Sequence, residues 1–438
     1  MSKAVKSLRF LSSIVLFIAF LCGFGYVVKN HADKNSENAL YSALDVFVSF
    51  PETVFEVAES KEIRGIPPTF EAVIASDTFN YLSYDVFGLM TLFNQQTKDW
   101  NIHVWNFKTD STLHTWNLSE SNFIKTDREW ANSEPRNPIL LPNRHLITHN
   151  DETKNLYRLD ENSNIVWKNI EKIFHHSLNL DHENNIWACT GEFKKINIPQ
   201  QKEPTVLEDD FVTKINSETG EVMFTKSTVD IFLDNNLKGY VFGLANGTHD
   251  RTEPDPLHLN DIEPVLTDGA HWKQGDLLLS FRNRSSVVLY RPSTNKIIRL
   301  IQGPFMQQHD VDILNDSTIS IFNNASMNIG TTAIAKWKWE NLPISYETNY
   351  SSIVQYNLAD STFTVRFEDH FREHELFSMY QGFHHQLTNG TTYVEDYTDG
   401  LMLFMNDDRV VYKKQSPNRL DTLVENPHWV RIYEDIAF

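Results

Sequence analysis

Four stretches of this 438-residue chain repeat one pattern, and each opens on histidine. His175-His176 begin HHSLNLDHENNIWACTGEF, and His309 begins HDVDILNDSTISIFNN. His258 begins HLNDIEPV and runs on to GDLLLSFRNR, and His384-His385 begin HHQLTNGTTYVEDY. After each histidine come a short alternating run, a polar turn and a second apolar run. Twice the count matches to the residue: Ile186 lies ten after His176, and Ile319 ten after His309. The same count of ten back from Leu146, in RNPILLPNRHLITH, reaches Arg136. Copies of one unit occupy equivalent places in a repeat architecture. Around a closed ring, equivalent places converge on the axis. The pattern therefore predicts a cluster of titratable side chains at one axis, drawn from segments far apart in the chain.

The rest of the chain supplies the outer parts of such units. NIHVWNFKTDSTLHTWNL, NLYRLDENSNIVWKN, FVTKINSETGEVMFTKS, SSVVLYRPSTNKIIRLIQG, SIVQYNLADSTFTVRFE and LMLFMNDDRVVYKKQ each read as strand, Asx/Ser/Gly turn, strand. These six hairpins, four preceded by a histidine run and one by the Arg136 run, make blades of four strands. The expected fold is all-β, a six-bladed β-propeller. A β-sandwich is the other all-β reading, but it has no need of a repeat. Two insertions, Thr190–Asp210 and Ser326–Ser351, exceed what blade loops require and are placed to cover the mouth of the central funnel.

The N-terminal segment stands apart. Lys3, Lys6 and Arg9 precede 19 uncharged residues, Phe10 to Val28. That run reaches the length of a spanning helix, and small residues at Gly23 and Gly25 leave signal-peptide cleavage open. Residues 1–29 read as a signal anchor or signal peptide, 30–68 as a polar linker and short helical stalk, and 69–438 as the propeller. The basic flank keeps the N-terminus in the cytoplasm. The expected location is thus the periplasm or cell exterior, with the protein tethered to the inner membrane or secreted after cleavage. A net charge of −19 argues against a nucleic-acid partner, whose phosphates it would repel. With only Cys22 and Cys189 there is no disulfide framework.

HLND at His258, followed by GDLLLSFRNRSSVVLYRPSTNKIIRLIQGPFMQQHDVDIL, resembles the aryl sulfotransferases that act without a nucleotide sulfate donor. The shared features are H-x-N, an apolar strand ending in S-x-R, a hairpin closing on an L-G-like turn, and Q-H-D. The resemblance runs over residues 100–415 and is strongest at 256–324. It departs from the family where Asn260 is followed by Asp261, where the stretch between the arginine and Q-H-D is short, and where the turn reads Ile301-Gln302-Gly303. It implies an exported six-bladed propeller that moves a sulfuryl group from an aryl sulfate to a phenolic or other hydroxyl through a sulfohistidine, with no cofactor and no metal.

The residue types suit that chemistry. Sulfuryl transfer, like phosphoryl transfer, is mostly positioning and charge stabilisation. Neutral imidazole is a competent nucleophile near pH 7 because its pKa is about 6.5. The resemblance makes His309 the nucleophile and Arg282 a two-point grip on the sulfuryl oxygens. His258 and Asn260, two apart on an extended segment, would share a side and donate to the same oxygens. His176 would move protons to and from phenols, whose pKa is about 10. Arg136, His384 and His385 join them as candidate substrate-binding residues. Two other readings compete. One is a non-catalytic propeller binding an anionic ligand or cell-envelope partner. The other rests on His370-Phe371-Arg372-Glu373-His374, which matches a zinc-protease H-x-x-E-H signature but offers no clear third ligand and suits a short helical connection between blades.

Overall fold

The structure is a computed structural model describing residues 70–72, 77–119, 134–197, 204–243, 254–329, 332–334, 350–417, 419–420 and 423–436. The expected anchor, linker and stalk, residues 1–68, lie outside the described residues. Among the described residues no helix is long and apolar enough to cross a membrane.

Six sheets make the blades of a β-propeller, and each blade is four strands ordered from the axis outward. Blade 1 is Pro135–Leu140, Leu146–Asn150, Leu156–Leu159 and Ile165–Asn169. Blade 2 is Ile173–Leu180, Ile186–Ile196, Thr205–Ile215 and Val222–Ser227. Blade 3 is Leu259–Pro264, Leu277–Phe281, Ser286–Arg291 and Lys296–Ile301. Blade 4 is His309–Asn315, Thr318–Asn323, Ser352–Asn357 and Thr362–Arg366. Blade 5 is Phe383–Gln386, Thr392–Asp396, Leu401–Met405 and Val410–Gln415, with Phe79–Asn80 added at its outer edge. Blade 6 joins distant parts of the chain: Arg431–Tyr433 is its innermost strand, against Phe87–Asn94, Asp99–Asn106 and Ser111–Leu118. The six hairpins read from the sequence are the third and fourth strands, counted from the axis, of the six blades.

The turns are set by side chains that replace a missing backbone partner. Asp181 Oδ1 accepts from the N–H groups of Glu183 (2.9 Å) and Asn185 (3.0 Å), and Asp160 Oδ1 does the same for Asn162 and Asn164. Apolar faces then pack between blades. Trp187, Val212, Ile262, Leu279 and Val288 fill the space between blades 2 and 3. Phe107, Tyr393, Phe404, Tyr412 and Val430 fill that between blades 5 and 6, with the Phe107 and Phe404 rings 5.1 Å apart, edge to face. Each such side chain contributes about 1.5–3 kcal/mol through burial. Cys189 is buried, its Sγ 3.6 Å from Ser177 Oγ.

Around the axis a belt of hydrogen bonds clasps each blade to the next. Asn137 Nδ2 donates to His176 O at 2.6 Å. Ser177 Oγ accepts from Ile262 N (3.0 Å), Asp261 Oδ2 from Val311 N (2.8 Å) and Asp310 Oδ2 from His384 N (2.8 Å). Glu395 accepts from Trp429 N and Val430 N, both at 2.9 Å, and Arg431 Nε donates to Pro138 O at 3.0 Å, closing the circle. Each clasp satisfies a buried backbone group that the neighbouring sheet leaves open.

Candidate functional site

Four innermost strands lose register where the leading residue of the repeat falls. Arg136 pairs with His149, but the next regular pair is Ile139 with Ile147. In blade 2, Phe174 pairs with Thr190 and then Leu178 with Ala188; in blade 3, Leu259 with Phe281 and then Asp261 with Ser280; in blade 4, His309 with Phe322 and then Val311 with Ile321. Left-handed backbone marks each place: φ is 47° at Asn137, 54° at His176, 56° at His258 and 48° at Asp310. A bulge bends its strand and re-aims the side chain there. Here it turns the leading residues toward the axis.

His176, His258 and His309, from blades 2, 3 and 4, meet there. The ring centroids of His176 lie 5.1 Å from those of His258 and 6.0 Å from those of His309. Arg282 joins them at the end of Leu277–Phe281; its backbone N–H donates to His258 O at 2.9 Å. Among the described residues its side chain's hydrogen bond goes to Asn283 Oδ1 (3.2 Å), leaving most of the guanidinium fork open. Burial holds the His309 imidazole well below its ordinary pKa, and the Arg282 charge adds to this. Burial, then His258, His175 and His309, do the same for His176. Both rings are therefore neutral near pH 7.

The proton on His309 is placed by Asn324. Asn324 Nδ2 donates to Ser378 O (2.9 Å) and Gln381 O (2.6 Å), so its Oδ1 is the atom facing His309 Nδ1, at 2.8 Å. An amide oxygen only accepts, so Nδ1 carries the hydrogen and Nε2 the lone pair. Among the described residues, only the long contact from Gln381 N, 3.3 Å, reaches Nε2. His258 Nδ1 is paired with Asp255.

Other expected residues stand elsewhere. Asn260 does not share a side with His258, because the bulge interrupts the alternation. It is fully buried, and its Nδ2 donates to Gln308 O at 2.8 Å, bracing the segment that carries His309. Arg136 is buried against Glu134 and Asp151, with Asp151 Oδ2 3.2 Å away. With the Gln381 amide oriented to offer its oxygen, that oxygen also accepts from Arg136 at 2.9 and 3.0 Å. Arg136 thus braces the wall beside His176. His384 and His385 lie outside the histidine cluster. Counted as for His176, ten before Thr392, the axial position in blade 5 is Gly382, with φ 89°. A Cβ there would stand 2.3 Å from the Phe322 ring. The histidine pair sits two residues further along its strand. In the rival motif, His370–Glu373 lie in the short helix Glu368–Glu373 and His374 caps it, in the connection from blade 4 to blade 5; His370 Nε2 bonds Asn406 O (2.9 Å), and His374 Nδ1 lies 3.5 Å from the Lys413 ammonium. Arg284 is buried and donates to Val241 O.

His385 instead lines a cavity of about 290 Å³, together with Asp261, Glu263, Asp310, Asp312 and Arg431 among others. Asp310, Asp312 and His384 place ligand-type atoms within 4.8 Å of one another, but both His384 ring nitrogens are taken, by Asp310 and Ser320. Burial, with Asp310 beside it, pushes the Asp312 carboxyl up to about 8. Folded protein thus holds this proton more tightly than unfolded chain, whose value is about 3.9. The resulting stability is complete below that value and is lost as pH rises through about 8. Melting temperatures measured across this window should fall with rising pH, and Asp312→Asn should flatten the slope. An unchanged slope would refute the assignment.

Asn324, Gln381, Asp255 and Asp210 belong to the site without a distinguishing signal in the sequence, whereas His175 stands at the head of its repeat copy beside His176. Asp210 comes from the first insertion, which is the long hairpin of blade 2, Ile186–Ile196 with Thr205–Ile215. The second insertion contributes the ribbon Met327–Ile329 with Thr332–Ile334.

A family model described as arylsulfotransferase (ASST) matches residues 137–415. No curated protein matches the chain. Similar solved structures include a protein of unknown function from Bacteroides caccae, at 9% identity and TM-score 0.47 over 78% of this chain and 97% of that one. Another is hydrazine synthase from Kuenenia stuttgartiensis, at 8% identity and TM-score 0.42 over 70% and 71%. A third is virginiamycin B lyase from Staphylococcus aureus, at 9% identity and TM-score 0.36 over 68% and 73%.

Proposed function

Since the chain belongs to the arylsulfotransferase family, we propose that it moves the sulfuryl group of an aryl sulfate to a phenolic or other hydroxyl in two steps, with His309 as the intermediate carrier. The observation that carries this reading is the convergence of a neutral imidazole whose Nε2 lone pair takes just one long contact, 3.3 Å from Gln381 N, and a guanidinium with an open fork. One supplies the nucleophile and the other the counter-charge for the sulfuryl oxygens.

In the first step His309 Nε2 attacks sulfur as the S–O bond to the phenol breaks opposite it. Arg282 holds two of the three oxygens, and His258, steadied by Asp255, faces the third. The phenolate leaves and takes a proton. In the second step a hydroxyl acceptor loses its proton and attacks the same sulfur, returning His309 to its starting state. The catalytic work lies in fixed charges that need no reorganisation as the sulfuryl group passes.

The test is incubation of the purified protein with a chromogenic aryl sulfate, with and without a phenol acceptor. Release of the donor phenol that depends on acceptor, with parallel lines in double-reciprocal plots, is expected. Binding of the aryl sulfate without release under any acceptor would instead favour the non-catalytic propeller.

A further inference from the structure

The proton that the departing phenolate takes needs a source, and a chain of groups behind His176 has the order required of one. His175 and His176 are adjacent, but the left-handed backbone at His176 turns their rings perpendicular, with Nδ1 of one 2.9 Å from Nδ1 of the other. On its other side His175 Nε2 lies 3.2 Å from Asp210 Oδ1. Asp210 is itself fixed, because its Oδ2 accepts from Leu259 N at 2.6 Å. All three residues lie at the joint between blades 2 and 3.

Asp210 Oδ1 is the anion that His175 Nε2 faces, an ion-pair contact at 3.2 Å and not a formed hydrogen bond, so the Nε2 hydrogen of His175 is kept on the Asp210 side. Burial opposes charge on His175, but the Asp210 carboxylate outweighs it and holds that imidazole above its ordinary pKa. The charged ring also carries Nδ1–H and donates it to His176. His176 therefore receives at Nδ1, its own hydrogen sits on Nε2, and Nε2 is the nitrogen left for the cluster. His258, His309 and Arg136 surround it with positive or potentially positive groups, while Asp151 and Glu208 add negative charge on the His175 side.

We infer that Asp210, His175 and His176 form a proton relay that switches His176 from acid to base between the two half-reactions. This rests on the sulfuryl-transfer reading above. As sulfur bonds to His309 Nε2 and the S–O bond breaks, His176 gives its Nε2 hydrogen to the phenolate oxygen. The hydrogen on His175 Nδ1 moves to His176 Nδ1. His175 is left neutral with its Nε2–H still facing the Asp210 carboxylate, and His176 is left neutral with a lone pair on Nε2. That lone pair is the base the second step needs. It takes the acceptor's hydroxyl hydrogen as the acceptor oxygen bonds to sulfur, and the Nδ1 hydrogen returns to His175. Atoms and charge balance over the cycle, and water supplies nothing.

His176 touches the reacting groups; His175 and Asp210 act through it as positioning residues. The experiment compares Asp210→Asn and His175→Asn with the unaltered protein on two donors. One is a nitrophenyl sulfate, whose phenolate leaves readily unprotonated; the other is unsubstituted phenyl sulfate. Loss of general-acid help should cost about 10²-fold or more with phenyl sulfate and only a few-fold with the nitro donor. Asp210→Glu, which restores the charge, should recover most of the difference. Nitrogen-15 shifts should show hydrogen on His176 Nε2 in the resting protein. Equal losses on both donors, no loss, or hydrogen on His176 Nδ1 at rest would overturn the relay alone. An unaltered protein that released phenol from neither donor would overturn the parent reading and the relay with it.

Discussion

Replacing His309 with alanine should reduce sulfuryl transfer by at least about 10⁴-fold, the scale seen when a covalent nucleophile is removed from a site that keeps its other groups. His176 and His258 are close, but His176 is given to proton transfer and His258 is tied to Asp255. Neither offers a lone pair positioned as His309 Nε2 is. Mass spectrometry provides the second measurement. Donor without acceptor should add one SO3 to the unaltered protein, on His309, and none to the variant. The change also strands the Asn324 oxygen, so about 1–3 kcal/mol of stability should go with it. His309→Gln, which can still reach Asn324, separates that loss from the chemical one. A sulfuryl group found on another residue, or full activity in His309→Ala, would refute the assignment.

Arg282→Lys should cost about 2–4 kcal/mol in transition-state stabilisation, comparable to removing an oxyanion donor. The charge survives, so a purely long-range effect would leave the rate almost intact. What disappears is the planar fork, which can bond two oxygens together. The backbone bond from Arg282 N to His258 O is untouched by the change, so the fold should hold. Steady-state kinetics should show the loss mainly in kcat, because charge spreads over the sulfuryl oxygens only as the S–O bond breaks. A variant with its KM raised and its kcat unchanged would place Arg282 in ground-state binding instead.

Much of the ring was legible because its signals are local. Alternation and Asx turns mark the outer hairpins, and counting ten residues back from the second strand finds His176 and His309 as they stand. The closing of blade 6 was not legible. Arg431–Tyr433 is a short strand whose partner, Phe87–Leu89, lies at the other end of the described chain, and no period links them. The bulges were also hidden, since they depend on how one strand sits on the next. They explain both misplaced residues: Asn260 was read by simple alternation, and His384-His385 by likeness of sequence where the axial register belongs to Gly382. Asp210 and Asn324 act through distances that only folding creates.

The closing strand has a consequence for how the protein is made. A ribosome produces Phe87–Asn94 early and Arg431–Tyr433 more than three hundred residues later. Blades 1 to 5 are complete before that strand exists, yet blade 6 lacks its axial edge and the Arg431 clasp to Pro138 until it arrives. The loop to be closed is among the longest the chain allows, so its entropy falls due at the final step. Nascent chains stalled short of Arg431 should hold folded blades without a finished ring, and the curvature that brings His176, His258 and His309 together belongs to the finished ring. Activity should therefore appear only once Arg431–Tyr433 has emerged and paired with Phe87–Leu89, as a single late event.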